Sequence, residues 1–221
     1  MTYRFKTVPF QHQANVLERC WEHTNWALFL EMGTGKSKIC IDNVGLLYEE
    51  GRINTFVVVA PKGVYRNWAK QELPKHLPDR IPQTMVIWTP TPTKAQKNSL
   101  KAILEPSDSL RIFIVNVEAL STVKGQRFLE RLLKSSEALL AIDESTTIKS
   151  PKARRTKAII RIGELAKYRR ILTGSPVTQS PLDLWAQCRF LGKDLLGDVG
   201  DNWYQFQYRY AVMKRRQLGS H

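Results

Sequence analysis

Leu30-Glu31-Met32-Gly33-Thr34-Gly35-Lys36-Ser37 sets two glycines ahead of a lysine and a hydroxyl, the arrangement that a phosphate-cradling loop needs. Gly33 and Gly35 can take positive φ and bring the backbone close to an anion, so that consecutive N–H groups converge where a side chain would block the approach. Lys36 offers a point charge to β- and γ-phosphates. Ser37 opens the next helix with a hydroxyl suited to Mg2+, at a terminus that itself favours negative charge. Gly33, Thr34, Gly35, Lys36 and Ser37 therefore form the candidate nucleotide-binding set. The general pattern GxxxxGK[ST] puts a glycine six residues before the lysine, where this chain has Leu30. The flanks agree with the loop: Trp26 to Leu30 is an apolar run of buried-strand type, and Ile39, Val44 and Leu47 recur at helical spacing over 36–48.

A second element raises the weight of the first. Ala138-Leu139-Leu140-Ala141-Ile142-Asp143-Glu144 is an apolar run ending in two carboxylates, which places both at the C-terminal tip of a buried strand, where open parallel sheets bind ligands. In nucleoside triphosphatases of this kind the first carboxylate holds Mg2+ and the second polarises the attacking water. Lys36, Asp143 and Glu144 are thus the candidate catalytic residues, with Ser37 and Asp143 on the metal.

Composition bounds the rest. The chain has 221 residues and 43% hydrophobic content, enough for one good core in a single domain. It contains no run of 18 apolar residues and no signal-peptide pattern at its start, so a cytoplasmic protein without a membrane partner is expected. Cys20, Cys40 and Cys188 are odd in number and far apart, and His12, His23 and His76 show no ligand spacing, so neither a disulfide framework nor zinc is expected. A net charge of +14 suggests a polyanion, with nucleic acid first. Lys149, Lys152, Arg154, Arg155, Lys157, Arg161, Lys167, Arg169 and Arg170 face one acid, Glu164, which concentrates over half of that excess just after the carboxylate pair. A solvated helix face is the plain reading; contact with phosphates is the functional one. Lys94, Lys97 and Lys101 have one-turn spacing and read as a solvated face, and Lys214-Arg215-Arg216 as a further contact to DNA or to a neighbouring lobe.

Short apolar runs alternate with amphipathic segments throughout. Strands are expected over 26–30, 55–60, 84–88, 111–115, 138–142 and 169–173, and helices over 10–22, 36–48, 64–73, 93–104, 126–134, 153–166 and 182–191. This pattern predicts an α/β fold, a wound parallel sheet with helices on both faces, because the strands read as continuous apolar runs. Leu218-Gly219-Ser220-His221 reads as a cloning remnant, leaving 1–217 as one domain.

At this point the chain resembles the motor ATPases of helicase superfamily two, and among them the Swi/Snf-type DNA translocases, from residue 5 to about 192. Pro9-Phe10-Gln11-His12-Gln13 is similar to the glutamine motif, and Glu31 to Ser37 to motif I, which the family writes Asp-Glu-Met-Gly-Leu-Gly-Lys-Thr. Val57 to Lys62 followed by Asn67-Trp68 resembles motif Ia, and Ile114 to Leu120 motif Ib. Asp143-Glu144-Ser145-Thr146 sits at motif II, and Arg170 to Pro176 running on to Leu184-Trp185 at motif III. Thr146 departs from the histidine that usually bridges motifs II and III.

The resemblance implies a first, N-terminal RecA-like lobe. It implies that Gln13 reads adenine, that Pro61 and Lys62 touch the nucleic-acid backbone beside Lys149, Lys152, Arg154 and Arg155, and that Thr173, Gly174 and Ser175 relay the ATP state to DNA. ATP and Mg2+ are the implied cofactors, and DNA the partner, duplex ahead of single-stranded. It also implies a second lobe carrying an arginine finger, for which the residues after Leu191 are too few. A piece of a longer motor, or a motor with its other lobe on a separate chain, is therefore expected. A finger contributes about 10³- to 10⁵-fold, so this lobe alone should be nearly inactive. Three rivals stay open: strand separation, a non-catalytic nucleic-acid-binding module that uses ATP as a conformational switch, and a protein-partner surface at Trp203, Tyr204, Phe206, Tyr208 and Tyr210.

Overall fold

Runs of valine, isoleucine and leucine form the strands of one parallel sheet in the computed structural model, which describes residues 3–212. The strands are β1 (Asn25–Phe29), β2 (Thr55–Ala60), β3 (Gln83–Ile87), β4 (Leu110–Asn116), β5 (Ala138–Asp143) and β6 (Tyr168–Thr173), in the order β1-β6-β5-β2-β4-β3. Every pairing is parallel. All six expected strands are present within a residue or so of their predicted ends.

The central strands are buried along their length because both sheet faces are covered. Val57, Val59, Phe113, Leu140, Ile142 and Ile171 point into one core, closed by α6 (Val123–Lys134), α7 (Arg154–Gly163) and α8 (Leu184–Leu191). Phe56, Val58, Ile112, Ile114, Leu139 and Leu172 point into the other, closed by α1 (Gln11–Cys20), α2 (Lys36–Glu49) and the helical stretch 65–76. The period-two alternation that hides in an all-apolar strand thus reappears as a choice of core.

That helical stretch departs from the single helix expected over 64–73. It comprises α3 (Tyr65–Asn67), a π-helical turn (Trp68–Glu72) and α4 (Leu73–His76). Pro74 has no N–H for an ordinary helical bond and its ring would strike the carbonyl four residues back, so the helix widens there, with Leu73 N–H donating to the Trp68 carbonyl. Three of the remaining helices begin on side-chain caps. Thr93 and Gln96 form a capping box for α5 (Lys94–Ala102), the Thr122 hydroxyl accepts from Gly125 N at 3.1 Å to start α6 three residues earlier than expected, and Asn202 caps α9 (Trp203–Tyr210). Phe206 of α9 packs with Trp185 and Val199, while Tyr204, Tyr208 and Tyr210 stay exposed. Lys214, Arg215, Arg216 and residues 218–221 lie outside the described residues.

Parallel strands put every strand-to-helix loop at one edge. The loops after β1, β2, β4, β5 and β6 all open there.

Candidate functional site

Register brings the two sequence signals together. Phe29 of β1 lies opposite Thr173 of β6, and Leu172 lies opposite Asp143 of β5. Thr173, itself buried, therefore stands between the loop that leaves β1 and the carboxylates that end β5.

The loop is built by turning its carbonyls inward. Lys36 Nζ donates to the carbonyls of Leu30 and Glu31, both at 2.9 Å, and the Thr34 hydroxyl donates to Glu31 O at 2.7 Å. The Thr34 carbonyl accepts from Gln13 Nε2 at 3.0 Å, with His12 Nε2 at the same distance. Gly33 and Gly35 hold φ of 80° and 84°. A Cβ on Gly35 would collide with the Gln13 amide, whereas one on Gly33 would meet nothing within 4 Å. α2 then starts at Lys36 with no side-chain cap, so its leading N–H groups have no intrahelical acceptor. A concave backbone rich in free donors, floored by glycine and flanked by a lysine, suits a polyphosphate. Leu30 supplies a carbonyl oxygen to Lys36 and packs its side chain against the core, away from the glycines.

Gln13 is engaged at both ends, since its Oε1 also accepts from Phe10 N at 3.0 Å. One amide hydrogen and one lone pair remain for another partner. The amide thus ties the glutamine motif to the loop.

Asp143 is held on both oxygens. Trp68 Nε1 donates to Oδ2 at 2.8 Å and Glu144 N donates to Oδ1 at 3.0 Å. Burial pushes its carboxyl up from the usual range, the Trp68 N–H opposes that, the Glu144 charge adds to it, and Lys36 pulls it down. Lys36 thus lies near enough to bear on the Asp143 charge. Glu144 takes φ 48° and ψ 61°, the one left-handed non-glycine among the described residues, at a cost of about 1–2 kcal/mol. Its side chain makes no hydrogen bond or ion pair among the described residues.

Motif III closes the third side. Thr173 Oγ1 accepts from Ser175 N at 3.2 Å. A Cβ on Gly174 would lie 3.4 Å from Met32 N and 3.5 Å from the Leu30 carbonyl oxygen, so the loop after β6 rides directly on the phosphate loop.

The basic residues are distributed differently from the sequence expectation. The nine cations between Lys149 and Arg170 do not form one face. Arg170 is fully buried and Arg169 half-buried at the start of β6, the opposite end of the sheet from Thr173. Arg161 pairs with Glu130, Lys167 with Glu137, and Arg155 Nε donates to the Thr147 carbonyl at 2.9 Å. Lys149 Nζ donates to Thr178 Oγ1 at 2.6 Å and lies 3.6 Å from Asp183 Oδ2. Lys152 and Arg154 are exposed and have no ion-pair partner among the described residues; Lys62 is exposed at the end of β2, next to half-buried Pro61. Lys94, Lys97 and Lys101 are indeed solvated, yet with Arg127 and Arg131 they also rim a groove of about 920 Å³ floored by Leu100, Leu104 and Phe128.

Three contributors escaped the sequence reading: Trp68 as the donor to Asp143, and the pair Gln187 and Asp183 behind motif III. Asp183 Oδ2 accepts from Thr178 N, Thr178 Oγ1 and Gln179 N at 2.8–2.9 Å. Burial works against its ionisation, but those donors and Lys149 outweigh it and hold the carboxyl down to about 2.

Known proteins are similar to this chain over most of its length. The sequence is 27% identical over 220 residues to the Arabidopsis thaliana protein CHROMATIN REMODELING 24, covering 96% of this chain and 19% of that protein. It is 28% identical over 191 residues to the human lymphoid-specific helicase, covering 85% of this chain and 22% of the relative. The chain thus spans about a fifth of the length of these curated relatives. The Sulfolobus solfataricus SWI2/SNF2 ATPase core solved in complex with dsDNA shares the fold, with a TM-score of 0.70 at 23% identity over 94% of this chain and 40% of that one. The SNF2-related domain profile matches residues 11–219, and the chain belongs to that family, with the RecA-like fold of its first lobe.

Proposed function

We propose that this chain is the ATP-binding lobe of a DNA translocase that hydrolyses ATP while tracking duplex DNA, working against a second RecA-like lobe. The observation that carries this reading is the meeting of residues 33–37 with Asp143 and Glu144 around Thr173 at one sheet edge. The amides of the Gly33 to Ser37 loop and the Lys36 ammonium hold the phosphate tail, in competition with the Leu30 and Glu31 carbonyls that Lys36 also serves. Ser37 and Asp143 would hold a magnesium ion, which neutralises charge on the β- and γ-phosphate oxygens. Glu144, unpartnered and braced by a strained turn, accepts the proton of the attacking water. Gln13, fixed to Thr34, sits where it can report on the base.

DNA contact falls to the same edge. Lys62, beside Pro61, and Lys152 and Arg154 offer unpaired cations to the nucleic-acid backbone, while Lys149 and Arg155 shape the segment that presents them. Gly174 lies against the phosphate loop from the other side, and with Thr173 and Ser175 carries its state outward. The relatives named for chromatin remodelling support an action on DNA inside the cell, and no helix of the described residues is long and apolar enough to cross a membrane.

Nucleotide binding and turnover separate the roles. ATP binding by this chain should be lost in Lys36→Ala and kept in Glu144→Gln. In the protein bearing both lobes, DNA-stimulated phosphate release should fall by at least about 10²-fold in Glu144→Gln. A Glu144→Gln protein with full turnover would remove the base assignment, and release of one strand from a forked duplex would replace tracking with unwinding.

A further inference from the structure

Ser145 and Gln187 are both fully buried, and the Ser145 hydroxyl donates to Gln187 Oε1 at 2.6 Å. The same amide donates from Nε2 to the Pro176 carbonyl at 2.7 Å and to the Asp183 carbonyl at 2.8 Å. Its hydrogen-bonding capacity is therefore engaged on both sides, one side being the turn that carries Glu144 and the other the loop that follows Thr173. Breaking any of these bonds without a replacement strands a buried polar group. Thr146, next along the chain, makes no such bond, and Lys149, which reaches Thr178 and Asp183, is part-exposed and correspondingly screened.

The geometry points to Gln187 as the positioning residue that couples the carboxylate turn at Asp143-Glu144 to the loop 174–179. The inference rests on the nucleotide reading above and adds the path by which the nucleotide's presence leaves the site. A shift of the Glu144 peptide carries Ser145 with it, Ser145 carries the Gln187 amide, and the amide carries Pro176. Asp183, fixed by its own carbonyl to the same amide, moves the Thr178 and Gln179 amides that its carboxylate holds. Gln187 touches no reacting atom in this scheme.

Hydrogen exchange read on this chain with and without saturating ATPγS and Mg2+ tests it. In the natural sequence the nucleotide should change exchange at Ser175, Thr178 and Gln179 by at least about fivefold, the lower end of ordinary coupling between sites. In Gln187→Met the nucleotide should bind within about threefold of the original affinity while that distant change falls below about twofold. Gln187→Glu, which keeps an acceptor for Ser145 but has no N–H for Pro176, should behave like the methionine variant. The double change Ser145→Ala with Gln187→Met removes both partners of the buried pair and leaves only the Pro176 and Asp183 carbonyls without their donor, and a cooperative melting transition there shows that lost coupling is not lost folding. Transmission that survives in folded Gln187→Met overturns the proposal and leaves the nucleotide reading standing, as does an unmodified chain that binds ATPγS without any change at these amides. Absence of binding by the unmodified chain removes the nucleotide reading and this inference together.

Discussion

Single side chains in this lobe are tuned by what buries them, and two lend themselves to measurement. Trp68 gives its one N–H to Asp143 and also packs edge-on against Phe56, with ring centroids 6.1 Å apart. Trp68→Phe keeps much of the packing and leaves Asp143 Oδ2 without its donor. The carboxyl, already raised by burial, should rise further, so the acid limb of Mg2+-dependent ATP binding should move to higher pH, with about 1.5–3 kcal/mol lost in urea unfolding. His76 offers the second test. Burial, then the charges of Lys38 and Lys75, push its imidazole down to about 4, and its Nδ1 lies 2.7 Å from the Thr7 hydroxyl. An unfolded histidine titrates near 6.5, so the unfolded chain binds the extra proton first. The stability contributed by neutral His76 is complete above about 6.5 and is lost as pH falls towards 4. Asp42 runs the other way, since burial raises its carboxyl to about 6 against the pull of Lys38. Unfolding midpoints at pH 7 and 4.5 should therefore diverge between the natural protein and His76→Gln, with the natural protein losing more on acidification.

Helices and loops add properties that no residue has alone. α7 is the clearest case, because its inner stripe of Ala158, Ile159 and Ile162 is buried while its cations divide between work and solvent. Lys152 and Arg154, at and just before its first turn, are free; Arg155 is spent on the Thr147 carbonyl. Neutralising Lys152 and Arg154 together should weaken duplex binding for every sequence and reduce the salt slope by about 2, with little effect on stability. Arg155→Ala should instead lower the melting midpoint, because the Thr147 carbonyl loses its donor. Equal behaviour of all three cations in both measurements would return α7 to a merely solvated face. The π-turn at 68–72 makes a related point: Pro74 reshapes the helix around the segment from which the Trp68 indole reaches Asp143.

The molecule as a whole is organised by two edges of one sheet. The C-terminal edge gathers the chemistry and the N-terminal edge is locked by arginine. Arg170, with no carboxylate partner, donates to the carbonyls of Cys20, His23, Thr24 and Arg169 and to Asn43 Oδ1, so one guanidinium fastens the end of α1, the lead into β1 and the middle of α2. Burial lowers its pKa from an arginine's ordinary value, and the ring of oxygens gives each of its five N–H donors an acceptor. Arg170→Met should cost at least about 3 kcal/mol in denaturant unfolding through the carbonyls it strands. Arg111 plays a lesser version of this part with the carbonyls of Ile103, Glu105 and Ser135. Arg170 had counted towards the basic cluster at 149–170, and neither arginine belongs to a basic surface.

What the sequence determined by itself was everything written in contiguous residues. Gly33 to Ser37, the carboxylates ending the run at 138–142, the six apolar strands and most helix spans follow from local backbone chemistry and from patterning over a few turns. Tertiary structure alone decided the order β1-β6-β5-β2-β4-β3, and with it the placing of Thr173 between the two motifs. It decided, too, that Trp68 serves Asp143 across 75 positions and Gln187 serves Ser145 across 42. A charge or an amide reads identically in a sequence whether it faces water or a carbonyl, because its role is set by the partner that folding brings to it; hence Arg170 reads as surface and Gln187 as filler until the chain is closed.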